Sequence, residues 1–312
     1  MIQLLTRLFF SKDLKVTPYL EKLIEEVKKD FQGNDDAKRR IKFSCRRKSE
    51  AANYGSSLYG NAYVVLPEYL DVRSVNDLNA HKMNALLGET YEWTVPRSDM
   101  WFTDPGKLLI DSFLLSEGAK KYVIAKEMAS TMNNDVPMLT FLLMGSMTIF
   151  HLMVSAFEKR KKPMNQPDMF FSVLVSAFVA LMFFKLMHTQ RSVVREQSGN
   201  LYAVTKGKAT LKEASEASRN CKILDTVDPE YHRSGVEYYS KQIQRNLALR
   251  NMVRSLPYSM ANPVINEDGS WKKHFWSVEI SSPEALNQLH EWAEGRERSP
   301  RQKAMLQSSK SS

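Results

Sequence analysis

The side chains that could do chemistry are few and widely spaced in this chain. Its histidines show no H-x-x-x-H or H-x-H spacing, and they stand at His81, His151, His188, His232, His274 and His290. The chain has no G-x-x-x-x-G-K-[ST] phosphate loop and no G-x-S-x-G nucleophile turn. Catalysis needs clustered ligands for a metal or a nucleophile beside a base. The sequence therefore predicts no catalytic site, no metal site, no cofactor and no small-molecule substrate.

Cysteine and methionine give weaker signals. Cys45 and Cys221 lie far apart and form no C-x-x-C or metal spacing, so either they form one disulfide or they are two unpaired thiols, and the second is favoured. Met144 and Met147 have an i, i+3 spacing that could hold Cu(I). No Cys or His stands at a matching position, so flexible apolar packing is the favoured interpretation.

Two apolar runs joined by a basic loop are the stretch around which the rest of the chain is organised. Residues 137–157 contain no Asp, Glu, Lys or Arg, and residues 169–187 contain only Lys185, near their end. A helix rises about 1.5 Å per residue, so each run can cross a hydrocarbon core of about 30 Å. A buried helical hairpin in a soluble core is the alternative, but such helices usually carry a polar stripe. The pattern predicts a transmembrane hairpin over 135–188.

One face of the second run consists of small side chains, since Ser172, Ser176 and Ala180 recur every four residues. Small residues allow helices to approach closely in a membrane. This face could close the hairpin on itself or dock another membrane protein. His151 lies inside the first run, where an interhelical hydrogen bond or a partner contact is the functional hypothesis. The favoured alternative is a neutral histidine without such a role, since it costs little near one end of a span.

The region before the hairpin, 17–134, predicts a modest α+β unit. Thr17 and Pro18 suit the N-cap and N1 positions of a helix. From 111 to 133 the pattern is helical again, with Ser116 as a further N-cap, and this helix leads almost directly into the first span. The predicted elements are a helix at 18–31, strands at 41–47, 61–70 and 88–96, and a loop at 49–60.

The region after the hairpin, 189–294, predicts mostly helix packed on the first soluble region. The second span is expected to continue as a helix through residue 224, with Gly199 and Gly207 as weak points.

The remaining elements follow from capping and turn residues. A helix is predicted over 228–256, because Asp228 and Pro229 suit the N-cap and N1 positions. Residues 262–280 predict a hairpin or irregular arm, and the polar residues 295–312 predict a disordered tail. The predicted fold class is an α+β membrane protein, in which a two-span helical hairpin with helical extensions carries a small mixed soluble domain.

Charge constrains partners and orientation. The formal net charge is +9, but the basic residues are scattered among acids except in a cluster at 38–48. That cluster lacks the motif of any nucleic-acid module, so no nucleic acid is predicted and a surface facing anionic lipid is favoured. Four consecutive basic residues in the loop 158–168 place that loop on the cytoplasmic or matrix side. The N-terminal tail, 1–16, suits either a weak mitochondrial presequence or a disordered or interfacial segment.

The order of helix, hairpin and helix is similar to that of the membrane-embedded zinc metallopeptidases of the CAAX-protease type. Those enzymes carry H-E-x-x-H before a hairpin and E-x-x-A-D after it. Here Glu127 stands at the general-base position, Lys126 and Ser130 replace both histidines, and Glu196 keeps a third-ligand position. One carboxylate cannot hold Zn²⁺, which needs three protein ligands in a catalytic site. The resemblance implies a vestigial site on a degenerate scaffold or a divergent membrane metallopeptidase, and chance similarity is the alternative.

A second resemblance is more specific. Residues 235–250, GVEYYSKQIQRNLALR, resemble the transmembrane protein 177 family. Residues 18–31, 66–70 and 114–128 are similar in the same order, so the resemblance covers roughly 17–265. The family pattern has a further span near the N-terminus, where this chain has MIQLLTRLFF. Either that anchor is lost in this lineage or the N-terminus is incomplete.

This resemblance implies a non-enzymatic protein of the mitochondrial inner membrane that acts in the assembly of cytochrome c oxidase. The expected partners are membrane lipid, newly made subunit 2 and the assembly chaperone that handles it. The soluble regions would lie in the intermembrane space and the 158–168 loop in the matrix. Candidate interaction residues, from the small-residue face and the family-like motif, are Ser172, Ser176, Ala180, Gly235, Glu237, Tyr238, Asn246 and Arg250.

Overall fold

The computed structural model of the chain is mostly helical, with a small mixed sheet and a long two-helix hairpin. It describes residues 14–32, 35–46, 51–78, 101–132, 135–160, 165–210, 223–254 and 280–294, with residues 212, 213, 216, 217, 220 and 267 between them.

The elements follow one another along the chain in a helix, sheet, helix, hairpin, helix order. They are α1 Pro18–Asp30, α2 Asp35–Arg39, β1 Ile41–Arg46, β2 Ala52–Tyr54, β3 Ala62–Pro67, 3-10 turns at Glu68–Asp71 and Val75–Asp77, α3 Asp104–Phe113, α4 Glu117–Thr131, α5 Asp135–Arg160, α6 Gln166–Thr205, α7 Pro229–Arg254 and α8 Ser282–Glu294.

The first helix confirms its predicted cap. Thr17 Oγ1 accepts a hydrogen bond from the backbone N–H of Leu20 at 3.3 Å, and Pro18 occupies the first turn. The hydroxyl thus satisfies one of the N–H groups that have no partner within the helix. The apolar face packs inward through Leu20, Leu23, Ile24 and Val27.

The sheet is mixed, in the order β1-β3-β2. Strand β1 pairs parallel with β3 from Ile41 opposite Ala62, and β2 pairs antiparallel with β3. The strand predicted at 61–70 is too long, because the chain enters a 3-10 turn after Pro67. The loop predicted at 49–60 is wrong at β2, where pairing with β3 overrides a composition poor in β-branched residues. The strand predicted at 88–96 lies outside the described residues.

Two helices replace the single helix predicted over 111–133. Helix α3 ends at Phe113, and α4 begins after Ser116, whose Oγ accepts from the backbone N–H of Ala119 at 3.2 Å. The predicted Ser116 cap is therefore confirmed, while residues 111–113 belong to the preceding helix, α3, which the sequence did not predict.

Helix α4 lies at the centre of the structure. It packs against α1, β2, β3, α6 and α7. Buried positions run from Ala119 through Thr131 with the exception of Lys121. Such a helix has no solvent face, so each polar side chain on it needs a partner inside the protein.

Helices α5 and α6 pack against each other and form the hairpin. Both predicted apolar runs, 137–157 and 169–187, lie within these helices, which are long and apolar enough to cross a membrane. Helix α6 continues for 40 residues, and its second half packs on α4, α7 and α8, which together form a helical layer in which Ser198 and Leu201 are buried.

Helix α6 ends earlier than predicted. It stops at Thr205 rather than continuing through residue 224, because Lys206 and Gly207 both take the left-handed conformation, with φ of 52° and 80°. Gly207 also lies against α1, since Gln32 donates a backbone hydrogen bond to Lys206 at 2.9 Å.

The C-terminal helices complete the helical layer. Helix α7 confirms the helix predicted at 228–256, and Asp228 Oδ1 accepts from the backbone N–H groups of Glu230 and Tyr231. Helix α8 packs on α7 and α6 and was not assigned from the sequence. The arm predicted at 262–280, apart from Glu267 and Ile280, and the tail at 295–312 lie outside the described residues.

Gly207→Ala is expected to lower the free energy of unfolding by about 1–3 kcal/mol, the cost of a strained left-handed residue. An added Cβ would also collide with the carbonyl oxygen of Gln32. Thermal unfolding in mild detergent measures the change. Gly60→Ala is the matched control, since a Cβ at Gly60 meets no atom within 4 Å. Equal stabilities for the two variants would contradict the close contact between α1 and the end of α6.

Candidate functional site

The structure brings two of the four predicted vestigial-site residues into direct contact. Lys126 on α4 and Glu196 on α6 form an ion pair, with Nζ 3.1 Å from Oε1. The other carboxylate oxygen, Oε2, accepts a hydrogen bond from the backbone N–H of Ile280 at 2.9 Å. Glu196 thus links α4, α6 and the segment that leads into α8.

Burial and charge act in opposite directions on Lys126, whose side chain is largely buried. Desolvation alone would lower the pKa of Lys126. Neighbouring groups, among them the carboxylates of Glu196 and Glu127, outweigh that effect and hold the pKa of Lys126 well above its ordinary value. The ammonium therefore remains charged at neutral pH, with the Glu196 carboxylate as its counter-charge.

Ser130 lies one turn further along α4, where α4 and α6 touch. Its Oγ donates to the carbonyl oxygen of Lys126 at 3.0 Å. A Cβ placed on Gly199 of α6 would lie 2.6 Å from that Oγ and 3.2 Å from the Lys126 carbonyl oxygen. The glycine that weakens α6 in isolation is therefore what allows the two helices to approach.

Glu127 faces another neighbour. Its Oε2 accepts a hydrogen bond from Asn53 Nδ2 of β2 at 2.5 Å, and its side chain is buried. An ammonium beside Glu196 would repel a divalent cation, and the hydroxyl of Ser130 is bonded to its own helix. Lys126 and Glu196 link α4 to α6, and Glu127 links α4 to β2. The four positions offer neither the ligand set nor the open position of a catalytic zinc site.

Lys120, which the sequence did not single out, is a second buried ammonium on α4. Its Nζ donates to the carbonyl oxygen of Val72 at 2.6 Å and lies over the ring of Tyr19. Desolvation lowers the pKa of Lys120, in contrast to Lys126. A carbonyl and an aromatic ring offset burial less than a carboxylate does.

A buried polar cluster adjoins the ion pair. Asn200 Oδ1 accepts from the hydroxyls of Tyr122 at 3.1 Å and Tyr239 at 2.7 Å. Burial raises the pKa of Tyr122, Tyr238 and Tyr239, so all three hydroxyls stay protonated. Sequence reasoning missed this cluster, although Asn200 stands four residues after Glu196 and therefore on the same face of α6.

The residues of the family-like motif on α7 make contacts within the chain. The ring of Tyr122 and the side chain of Leu289 leave no room for a Cβ at Gly235. Glu237 accepts from the backbone N–H of Ser116 at 2.8 Å and from its Oγ at 2.6 Å, so it binds the start of α4.

The other motif residues follow the same trend. Tyr238 and Asn246 are buried, and Arg250 forms an ion pair with Glu267 at 3.2 Å. The motif holds α7 on α4, and most of its side chains do not lie on an exposed surface.

The small-residue face of the hairpin is buried. Ser172, Ser176 and Ala180 lie where α6 packs on α5, and Ser146 on α5 is buried as well. In this structure the face closes the hairpin on itself. His151, Met144 and Met147 lie on the exposed side of α5.

Cys45 is buried in β1, and Cys221 lies outside the described residues, so the predicted unpaired state stays a prediction. Comparisons of the chain with protein-family models, curated proteins and solved structures find no significant match.

Glu196→Gln tests the ion pair. An amide cannot offer carbonyl oxygens to both Lys126 and Ile280, and it leaves the ammonium without its counter-charge. We expect the free energy of unfolding to fall by about 2–4 kcal/mol, somewhat below the range for a fully buried pair because Glu196 is partly exposed. Chemical denaturation in mild detergent measures the change.

The matched control is Glu25→Gln, which breaks an exposed ion pair with Lys28 at 2.8 Å. Such pairs contribute about 0–1 kcal/mol. Adding Lys126→Met to Glu196→Gln should restore part of the lost stability by removing the unpaired charge. An equal, small effect from Glu196→Gln and Glu25→Gln would show that the buried pair does not hold α4 on α6.

Proposed function

We propose that this chain is a non-enzymatic membrane scaffold whose α5–α6 hairpin spans a bilayer and whose helical layer binds a client protein. The observation that carries the proposal is the inverted burial of the hairpin. Large apolar side chains such as Met147 and Phe170 are 74% and 69% exposed, while Ser172 and Ser176 are buried. A soluble protein rarely exposes an apolar surface of this extent, whereas lipid covers it.

A buried hairpin in a soluble core is the alternative, and its apolar windows would then be buried. In this structure 6% of the most apolar 18-residue stretch of α5 is buried, and 17% of that of α6. Both figures support lipid as the surrounding medium.

Helix α6 connects the hairpin rigidly to the helical layer. At about 1.5 Å per residue its 40 residues extend roughly 60 Å. A hydrocarbon core takes about 30 Å of that length. The remainder packs on α4, α7 and α8, so no flexible linker separates the second span from the helical layer.

The non-enzymatic part of the proposal is supported by the closed geometry at Lys126 and Glu196. These residues neutralise each other where a metallopeptidase would place zinc ligands. If the degenerate-scaffold hypothesis is correct, two positions of a former zinc site, Lys126 and Glu196, now form a contact between helices.

The compartment and client are proposed from the resemblance to the transmembrane protein 177 family. On that basis the chain lies in the mitochondrial inner membrane and supports biogenesis of cytochrome c oxidase subunit 2, together with its assembly chaperone. The basic loop, 158–168, is proposed to face the matrix and the helical layer the intermembrane space. This orientation places the helical layer beside the soluble part of subunit 2.

Protease protection in isolated mitochondria tests compartment and orientation. Epitope tags are placed at the C-terminus and in the 158–168 loop. We expect the C-terminal tag to become sensitive when only the outer membrane is opened, and the loop tag to stay protected until the inner membrane is dissolved. A loop tag lost before the C-terminal tag would reverse the orientation, and a soluble protein after carbonate extraction would refute the membrane span.

Co-purification tests the client. The tagged chain is isolated in mild detergent, and its partners are quantified against an unrelated two-span protein of the same membrane. Enrichment of subunit 2 or its assembly chaperone is the expected result. Recovery of the intact chain with neither protein enriched would refute the assembly role.

A further inference from the structure

Helices α7 and α8 bring together three side chains that could hold a metal ion, away from the Lys126–Glu196 pair. His232 lies on α7, and His290 and Glu294 lie one turn apart on α8. One ligand atom from each lies within 4.8 Å of the other two. His290 Nδ1 is 3.2 Å from Glu294 Oε1, and the two imidazole rings meet edge to face with centroids 5.8 Å apart.

The buried nitrogen of His232 is the second observation. Its Nε2 is shielded from solvent and has no hydrogen-bond partner among the described residues. Buried polar atoms are normally satisfied, so an unpartnered one indicates a missing ligand or water.

We propose that His232, His290 and Glu294 bind a divalent transition metal of the zinc class. Two imidazoles and one carboxylate suit Zn²⁺ and related ions, whereas Mg²⁺ and Ca²⁺ prefer oxygen ligands alone. Ligand atoms about 2.0–2.1 Å from a tetrahedral ion lie roughly 3.4 Å apart. His290 Nδ1 and Glu294 Oε1, 3.2 Å apart, already have nearly that separation.

Bound metal would fasten α8 to α7. Helix α8 is also held by apolar packing through Leu289 and Trp292, by a hydrogen bond from Ser282 Oγ to Gln242 Oε1 of α7 at 3.0 Å, and by a backbone hydrogen bond from Leu224 to Trp292 at 2.9 Å. The site lies apart from the Lys126–Glu196 pair and does not depend on the proposed client. With three protein ligands, the fourth position stays open to water. The metal would therefore stabilise the packing of α8 on α7 within the helical layer.

Sequence reasoning missed this site because His232 and His290 are far apart in the chain. The H-x-x-x-E spacing of His290 and Glu294 on one helix was the only local signal, and a surface ion pair has the same spacing.

Zinc titration of the full chain tests the proposal. The protein is purified in mild detergent, stripped with chelator and titrated with Zn²⁺ in a calorimeter, with the visible spectrum of Co²⁺ as a second readout. We expect one Zn²⁺ per chain, a tetrahedral Co²⁺ spectrum and a higher melting temperature with zinc. His290→Gln and Glu294→Gln should each weaken zinc binding by at least about tenfold.

The controls are His151→Gln and Glu230→Gln, which make the same changes at exposed positions on other faces. They should bind zinc as the unmodified chain does. Glu294 is exposed, so Glu294→Gln keeps the test decisive even if a histidine variant fails to fold. Failure of the unmodified chain to bind stoichiometric zinc at micromolar free metal would overturn the proposal. Equal binding by the Glu294→Gln and control variants would do the same.

Discussion

The contact between α4 and α6 is the constraint on which the rest of the structure depends. Helix α4 is buried on nearly every side, so its two buried lysines, Lys120 and Lys126, must find partners inside the protein. Lys126 finds the carboxylate of Glu196, and Gly199 allows the helices to approach closely enough for that pair to form. Because α6 also forms half of the hairpin, this contact, together with the packing of α6 on α7 and α8, holds the helical layer on the apolar helices.

The same contact explains how a site with suggestive residues can lack catalytic geometry. A lone Glu at a metallopeptidase position predicts chemistry only if its charge is available to a metal or a substrate. Here Glu196 is committed to Lys126 and to the backbone of Ile280, and Glu127 is committed to Asn53. Charges that could have served a reaction instead connect α4 to α6, β2 and the approach to α8.

Local signals in the sequence predicted local structure well. The caps at Thr17, Ser116 and Asp228 were predictable because capping depends on a few neighbouring residues. The apolar helices of the hairpin were predictable because charge is absent over a whole helix length. By contrast β2, the tyrosine cluster around Asn200 and the His232–His290 pair depend on contacts between residues far apart in the chain. No pattern within one segment specifies such contacts. The end of α6 at Thr205, by contrast, lies beside Gly207, which the sequence marked as a weak point.

The central claim is that the hairpin lies in lipid while the layer built on α4 lies in water. Spin-label accessibility in liposomes measures this directly, with single labels at Met147, Leu174 and Tyr59 in a chain whose native cysteines are replaced by alanine. We predict that labels at Met147 and Leu174 are relaxed by oxygen and shielded from a water-soluble nickel complex. The label at Tyr59 should be relaxed by the nickel complex and less affected by oxygen. Ready access of the nickel complex to Met147 and Leu174 would contradict the claim that the hairpin lies in lipid.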